Sequence, residues 1–182
     1  MKERLRQVQK SYLWWPMFIT LAIIVLDQLT KLWTIQASGN YAPALLYEVI
    51  PNYFNFVDYR NTGAAWGMFK DNSYLLSFVS LAAFFYFIYD FPAITEGISF
   101  RKFSWALLIG GVFGNWVDRF FRQEVIDMVE VFIPLPGQNY RFPAFNVADA
   151  AICVGVFLYF VHVIFFTKKA EKANVEKEGS VE

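Results

Sequence analysis

Four long apolar segments dominate the pattern of hydrophobic and polar positions along the chain. They cover approximately residues 13–35, 73–91, 103–121 and 147–166. An α-helix needs about 20 apolar residues to cross the hydrocarbon core of a bilayer. Inside lipid, a helix also satisfies its backbone hydrogen bonds within its own segment. The pattern therefore predicts a mainly α-helical integral membrane protein with four transmembrane helices.

Two connections between these helices, residues 37–72 and 122–146, are longer and richer in aromatic residues than simple linkers. Residues 53–59 roughly alternate aromatic or β-branched residues with polar ones, which is typical of a strand. The sequence Asn-Thr-Gly at residues 61–63 follows and favours a turn. Because aromatic side chains favour the membrane–water interface, we expect a small sheet on the outer face of the membrane.

The distribution of Lys and Arg predicts the orientation of the helices. Ten of these residues lie at the two termini and in the short second connection, against five on the opposite side, in the two long connections and at the end of the third span. Positively charged residues favour the cytoplasmic side, so we expect both termini in the cytoplasm. The ten are Lys2, Arg4, Arg6, Lys10, Arg101, Lys102, Lys168, Lys169, Lys172 and Lys177, and the five are Arg60, Lys70, Arg119, Arg122 and Arg141.

Two charged ends flank one membrane domain, which we predict over residues 13–166. Residues 1–12 would form a basic cytoplasmic N-terminus. Residues 167–182 are charged and lack aromatic residues, which is typical of a disordered tail. The basic start and the apolar run after it are also features of a signal peptide. However, no small-residue cleavage site follows the apolar run, so we expect the run to remain as the first helix.

Composition narrows the classes of function. The chain is 57% hydrophobic, whereas soluble domains are usually about 45–50% apolar. Its formal net charge is zero, so no basic excess indicates nucleic-acid binding. It has one cysteine, Cys153, and one histidine, His162, whereas a zinc site uses three or four His, Cys or carboxylate ligands. We therefore predict neither a metal nor another cofactor.

Asp127 and Asp149 are the principal candidates for chemistry, because the predicted topology places both at the outer face. Two carboxylates in a partly dry site cannot both ionise easily, so the pKa of one rises. The protonated group can then donate to a carbonyl oxygen while the ionised group takes a proton from water. The alternative is structural. Asp149 and Asn146 fit a helix capping box, and Asp127 could be a loop carboxylate in water.

Polar residues within the predicted spans have two interpretations as well. Asp27 and Lys31 are four residues apart and suit an ion pair on one helix face. Asn115 and Arg119 are also one turn apart, and between them Asp118 could pair locally or with Arg122. These groups form either a satisfied packing cluster or a support for the acidic pair.

Ionisable residues within a membrane are functional candidates by default. Besides such acid–base chemistry, they are compatible with a small transporter or proton-conducting protein, in which Asp27, Lys31 and Arg119 would mark an ion path. A non-enzymatic membrane scaffold, with the outer aromatic surface as its binding site, is the other alternative.

Five short stretches together resemble the bacterial lipoprotein signal peptidase family, also called signal peptidase II. They occur in the family's order and at compatible spacing, over about residues 13–166. The stretches are Asp-Gln-Leu-Thr-Lys at residues 27–31, Asn-Thr-Gly-Ala-Ala-Trp at 61–66, Gly-Gly-Val-Phe-Gly-Asn-Trp-Val-Asp-Arg at 110–119, Val-Ile-Asp-Met-Val at 125–129 and Phe-Asn-Val-Ala-Asp at 145–149. Trp66 and the sequence Met-Val-Glu at 128–130 depart from the family's usual residues.

The resemblance implies an aspartic endopeptidase of the bacterial cytoplasmic (inner) membrane. It would remove signal peptides from diacylglyceryl-modified prolipoproteins, cut just before the lipidated cysteine, contact membrane lipid and work as a monomer without a cofactor. The implied fold has four transmembrane helices, a small outer β-cradle and a short mobile outer helix. The implied catalytic residues are Asp127 and Asp149, and the implied supporting or substrate-positioning residues are Asp27, Lys31, Asn61, Gly63, Asn115, Arg119 and Asn146.

Overall fold

The structure, a computed structural model, describes residues 14–63, 69 and 72–167. In chain order the elements are α1 (Trp14–Ala37), β1 (Ala44–Ile50), β2 (Phe54–Asn61), α2 (Ser73–Thr95), α3 (Ser99–Phe121), β3 (Val125–Leu135), β4 (Gln138–Arg141) and α4 (Val147–His162), which continues into a π-helical turn, Val163–Thr167. The predicted basic N-terminus, Trp66, Lys70 and the predicted tail after residue 167 lie outside the described residues. The mainly helical prediction is confirmed.

Three of the four predicted membrane spans have helices that are long and apolar enough to cross a bilayer. They are Trp14–Ala37, Ser73–Thr95 and Val147–Phe166. The predicted span at 103–121 corresponds to α3, which at 23 residues is about 35 Å long. However, α3 is not one of the described helices that are apolar enough to count as a candidate membrane span. Its first turn contains Arg101 and Lys102, and most of its residues are buried by the protein itself.

Helix α3 is the central helix of the bundle, and it packs against α1, α2 and α4. Its approach to α4 depends on two glycines. A Cβ atom at Gly111 would lie 2.4 Å from the carbonyl oxygen of Ala148, and one at Gly155 would lie 2.6 Å from that of Ser104. Both distances are too short for any side chain, so the two helices approach each other backbone to backbone.

The four strands form one antiparallel sheet in the order β1-β2-β3-β4. The predicted small sheet is therefore confirmed, although β2 extends to Asn61, where the sequence favoured a turn. In the register of β2 with β3, Tyr59 lies opposite Asp127 and Asn61 opposite Val125. A bulge lies between Phe56 and Tyr59. The sheet thus contains one of the two candidate carboxylates.

All four helices have one end next to the sheet, because α1 and α3 lead into strands and α2 and α4 follow them. We call this the sheet-proximal end and the opposite one the distal end. Asp58 of β2, which is fully buried, accepts hydrogen bonds from Ser38 Oγ at 2.6 Å and from Arg60 Nε at 2.6 Å. Since Ser38 follows the last residue of α1, its bond to Asp58 attaches the sheet to that helix.

Candidate active site

Asp127 and Asp149 come from different elements and are connected through one side chain. Asp127 lies in β3 and is 5% exposed, and Asp149 lies half-buried in the first turn of α4. The Nδ2 atom of Asn146 donates to Asp127 Oδ1 at 2.9 Å. The Oδ1 atom of Asn146 accepts from the backbone N–H of Asp149, also at 2.9 Å. The structure thus brings together the two carboxylates that the sequence singled out.

The structural alternative for Asp149 is also present in the geometry. Asn146 is the N-cap of α4, and Asp149 Oδ2 accepts from the backbone N–H of Asn146 at 3.3 Å, which completes a capping box. The other oxygen, Oδ1, accepts from Asn115 Nδ2 at 2.7 Å. Both oxygens of Asp149 therefore accept hydrogen bonds at the N-terminal end of a helix, a position that favours a negative charge.

The expectation that Asp127 could be a loop carboxylate in water is wrong, because Asp127 is a buried strand residue. Its Oδ2 atom lies 3.4 Å from Asn61 Nδ2. Asn61 in turn accepts from the backbone N–H of Gly63 at 3.0 Å. Thus two asparagine amides, one from β2 and one from the N-cap of α4, contact the two oxygens of Asp127.

Burial is the main reason why the pKa of Asp127 rises from 3.8 to about 7. The negative charge of Asp149 raises this pKa further. The hydrogen bonds from Asn61 and Asn146 and the positive charge of Lys31 act in the opposite direction. The balance leaves Asp127 able to hold a proton near neutral pH, whereas an ordinary aspartate is ionised there.

Lys31 is the largest fully buried side chain in the described structure. Its Nζ atom lies 2.8 Å from Asp27 Oδ2, 2.7 Å from Asp118 Oδ2 and 3.0 Å from Asn115 Oδ1. The predicted pair with Asp27 is therefore present, but the ammonium has two further partners on α3. One of them, Asn115, is the group that donates to Asp149.

Asp27 extends this polar cluster to α4. Its Oδ1 atom accepts from the backbone N–H of Ala148 at 2.9 Å, so α1 supplies an acceptor to the first turn of α4. Gln28, which the sequence did not single out, donates to Asp27 at 3.1 Å and to Asp118 at 3.3 Å. Asp118 also pairs with Arg122, one of the two partners considered from the sequence.

Arg119 lies beside the pair but contacts backbone carbonyl groups in the part of the chain that the structure describes. Its Nη1 atom is 3.4 Å from the carbonyl oxygen of Asn115, and its Nη2 atom is 3.4 Å from that of Gly63. Gly63 is the residue whose N–H bonds to Asn61. Arg119 and Asn61 therefore both contact the segment at Gly63, close to Asp127.

A third buried carboxylate in the sheet, besides Asp58 and Asp127, was not assigned a role from the sequence. Glu130 is 3% exposed, accepts from Asn55 Nδ2 at 3.0 Å and from the Tyr59 hydroxyl at 3.4 Å, and pairs with Arg141. The guanidinium of Arg141 also lies 4.9 Å from the centre of the Tyr59 ring. These partners explain how a glutamate fits at a position where the resemblance suggests an apolar residue.

Residues 19–165 match the sequence profile of the family described as signal peptidase (SPase) II. The chain belongs to the signal peptidase II family. The lipoprotein signal peptidase of Listeria welshimeri is 37% identical over 153 residues, which cover 84% of this chain and 95% of that protein. The lipoprotein signal peptidase of Bacillus subtilis is 34% identical over 154 residues, with 85% and 96% covered.

Solved structures support the same assignment. A bacterial membrane enzyme determined by the in meso method at 2.3 Å resolution has a TM-score of 0.75 and 28% identity, and covers 87% of this chain and 92% of its own. Another, at 1.9 Å resolution, has a TM-score of 0.71 and 28% identity, with 85% and 96% covered. The resemblance found in the sequence is thus confirmed, and membership identifies an integral membrane protease.

Among the described residues, no group of three or more His, Cys, Asp or Glu side chains could hold a metal ion.

Proposed function

We propose that the protein is an aspartic endopeptidase that removes the signal peptide from diacylglyceryl-modified prolipoproteins. The observation that supports it best is the pair of Asp127, buried in the sheet, and Asp149, at the start of α4, joined through Asn146. The family and its lipoprotein signal peptidase relatives support the prolipoprotein as substrate. The bond cut would be the one just before the lipidated cysteine.

The environments of the two carboxylates support different roles for them. Asp127 holds the proton at rest, because burial and the neighbouring charge raise its pKa to about 7. Asp149 would act as the base, because it accepts from Asn115 at 2.7 Å and lies at the N-terminal end of α4, a position that favours a negative charge. A carboxylic acid beside a carboxylate is the arrangement that activates water in aspartic peptidases.

The reaction would begin with a water molecule between the two groups. Asp149 takes a proton from the water while the oxygen of that water attacks the scissile carbonyl carbon. At the same time Asp127 gives its proton to the carbonyl oxygen. Asp149 then passes its proton to the leaving nitrogen, and Asp127 recovers a proton from a hydroxyl of the intermediate as the C–N bond breaks. The products are an acid and an amine, and both carboxylates return to their starting states.

The remaining site residues would orient the pair and the substrate. Asn115 and Asn146 would keep the carboxylates in place, with Asp27 and Lys31 behind them. The sheet and the segment from Asn61 to Gly63 would bind the extended substrate backbone, supported by Arg119. The reacting groups all come from a single chain, which supports a monomer as the active form.

The membrane arrangement is part of the proposal. Helix α3 would cross the bilayer as a fourth span, because the three apolar helices around it shield its polar residues from lipid. The excess of Lys and Arg at the termini and at the short connection supports cytoplasmic termini. The sheet-proximal end, with the two carboxylates, would then lie at the outer face of the bacterial cytoplasmic membrane.

Cleavage of a diacylglyceryl-modified prolipoprotein by the purified protein in detergent, followed by mass spectrometry of the products, tests the proposal. We expect one cut, directly before the lipidated cysteine. Asp127→Asn and Asp149→Asn should each lose at least about 10²-fold in rate while folded, because acid–base catalysis typically contributes about 10²–10⁴.

Two results would contradict the proposal. A folded Asp127→Asn or Asp149→Asn protein with near wild-type cleavage would exclude the aspartic mechanism. The wild-type protein could also leave the prolipoprotein intact while a known peptidase of this type cleaves it in the same detergent. That result would exclude the prolipoprotein as a substrate of this protein.

A further inference from the structure

Asp118 is a fully buried carboxylate near the end of α3 that the proposed reaction does not use. Its Oδ1 atom accepts from Gln28 at 3.3 Å and pairs with Arg122. Its Oδ2 atom lies 2.7 Å from Lys31 Nζ and accepts from the backbone N–H of Ile126 at 3.3 Å. This second oxygen therefore connects the buried ammonium of α1 to the beginning of β3.

The contact with Ile126 concerns Asp127 directly, because the two residues are neighbours in β3. Ile126 is fully buried, and a buried backbone N–H needs an acceptor. Asp118 supplies that acceptor from α3. The same carboxylate thus fixes the position at which β3 leaves the end of the helix bundle, one residue before the candidate acid.

Lys31 connects Asp118 to the other carboxylate of the pair. The ammonium contacts Asp118 and, at 3.0 Å, Asn115 Oδ1. Because the oxygen of the Asn115 amide faces the ammonium, its Nδ2 atom is the one that donates to Asp149 at 2.7 Å. The orientation of this amide therefore depends on Lys31, which Asp27 and Asp118 fix between them, together with Asn146 Nδ2, which donates to the same oxygen at 3.2 Å.

We infer that Asp118 is a positioning residue of the peptidase site, which fixes Asp127 through the backbone of Ile126 and Asp149 through Lys31 and Asn115. The inference rests on the proposed function. Asp118 also balances charge, since its carboxylate lies between two cations. The charged or titratable groups around Asp127 are Lys31 from α1, Arg119 from α3, Asp149 from α4 and Tyr59 from β2.

The substitution Asp118→Asn tests the inference, because asparagine has nearly the same shape but no negative charge. We expect kcat to fall roughly 10- to 100-fold with little change in KM, since small displacements of reacting groups cost about this much. Asp127 should also titrate about 0.5 to 1 pH unit lower, because the less balanced ammonium of Lys31 favours the ionised carboxylate.

Asp58→Asn is the matched control. Asp58 is also a fully buried aspartate with a cationic partner, Arg60, but it joins β2 to Ser38 and has no contact with Ile126 or Lys31 among the described residues. It should lose stability without a change in the titration of Asp127. The comparison separates a positioning role from a general loss of folding.

Two measurements on the full-length protein decide the question. One is the rate of prolipoprotein cleavage. The other is the titration of Asp127, followed by carboxyl ¹³C NMR with its signal assigned by comparison with Asp127→Asn. The NMR titration needs no substrate. Suppose that the wild type cleaves the substrate. If Asp118→Asn then has the wild-type kcat per folded protein, or if Asp127 titrates in it as in the wild type, the inference is wrong. If the wild type does not cleave but the titration moves in Asp118→Asn, the substrate assignment fails and the positioning of Asp127 by Asp118 stands.

Discussion

The sheet-proximal and distal halves of the helix bundle are packed by different forces. Near the sheet, the fully buried side chains include Asp27, Lys31 and Asp118, and each of these charges has a partner of opposite sign. In the distal half, the core consists of Phe91, Trp105, Leu108 and Ile109 with further aromatic residues around them. Charge is not absent there, but the salt bridge of Arg101 uses Glu96, which is largely exposed.

The two halves contribute differently to the protein: apolar packing stabilises the distal half, and polar contacts position the candidate catalytic groups in the sheet-proximal half. Lipid is as apolar as a leucine side chain, so helices in a membrane associate through packing and hydrogen bonds rather than through hydrophobic burial. Aromatic contacts in the distal half can adjust to small changes of shape. Hydrogen bonds and ion pairs require definite distances and directions, so the polar half fixes Asp127 and Asp149 more strictly than apolar packing would.

The largest effect is expected from Lys31→Met, which removes the ammonium at the centre of the sheet-proximal polar cluster. The change leaves Asp27 without the cation that it contacts and Asp118 with Arg122 alone. Loss of one partner of a buried ion pair costs about 3–5 kcal/mol. We expect the free energy of unfolding, measured by titration with a denaturing detergent, to fall by this amount, and cleavage to be lost.

Trp105→Phe is the matched change in the distal half. It removes the hydrogen bond from Trp105 Nε1 to the carbonyl oxygen of Phe87, which is 3.2 Å long. A bond of this kind contributes about 1 kcal/mol, and kcat should remain at the wild-type value. If Lys31→Met is no less stable than Trp105→Phe, the buried charges do not distinguish the two halves.

A pH titration sharpens the contrast without disturbing the packing. The pKa of Asp127 rises from 3.8 to about 7 in the folded protein, so the folded state retains a proton that the unfolded chain releases at lower pH. The free energy of unfolding should therefore decrease as pH rises from about 4 to 7, and Asp127→Asn should reduce this slope. Since Asp127 must be protonated to act as the acid, kcat/KM should fall about tenfold per pH unit above about 7.

The two parts of this prediction are measured separately, by unfolding and by initial rates. An activity that stays level or rises between pH 7 and pH 9 would show that Asp127 is not the acid. An equal pH dependence of unfolding in the wild type and in Asp127→Asn would show that another group in the protein titrates in this range.

The local parts of the site could be predicted from the sequence, whereas its long-range contacts could not. Asp27 and Lys31 are one helical turn apart, and Asn146 and Asp149 have capping-box spacing, so both contacts follow from short-range geometry. The contact between Lys31 and Asn115 joins residues 84 positions apart. Hydrophobic periodicity contains no information on such a distance, and only the family resemblance suggested that these residues belong together.

The fold shows the same limit. The apolar segments predicted the helices, but β3 escaped detection because its residues are buried on both faces near Asp127 and do not alternate between apolar and polar. The fourth predicted span, α3, is a helix that lacks the apolar composition of the other three. Its position in the centre of the bundle explains this, since neighbouring helices rather than lipid surround its polar residues.

Two glycine substitutions on the same helix interface give the most direct test of the contrast. Gly111→Ala would place a Cβ atom 2.4 Å from the carbonyl oxygen of Ala148, and Gly155→Ala would place one 2.6 Å from that of Ser104. Backbone atoms cannot rotate away, so in each variant α3 and α4 must separate slightly. Such overpacking typically costs about 1–3 kcal/mol, and both variants should lose this much in detergent unfolding.

Only Gly111→Ala should also reduce catalysis, because Ala148 precedes Asp149 and its N–H bonds to Asp27. A displacement of about 1 Å near reacting groups can cost about 10²-fold in rate, so we expect kcat to fall up to this limit. Gly155→Ala, seven residues beyond Ala148 in α4, should retain its kcat at equal loss of stability. Equal kcat values in the two variants would mean that the position of Asp149 does not depend on close packing at Ala148, and that the sheet and its hydrogen bonds alone hold the pair.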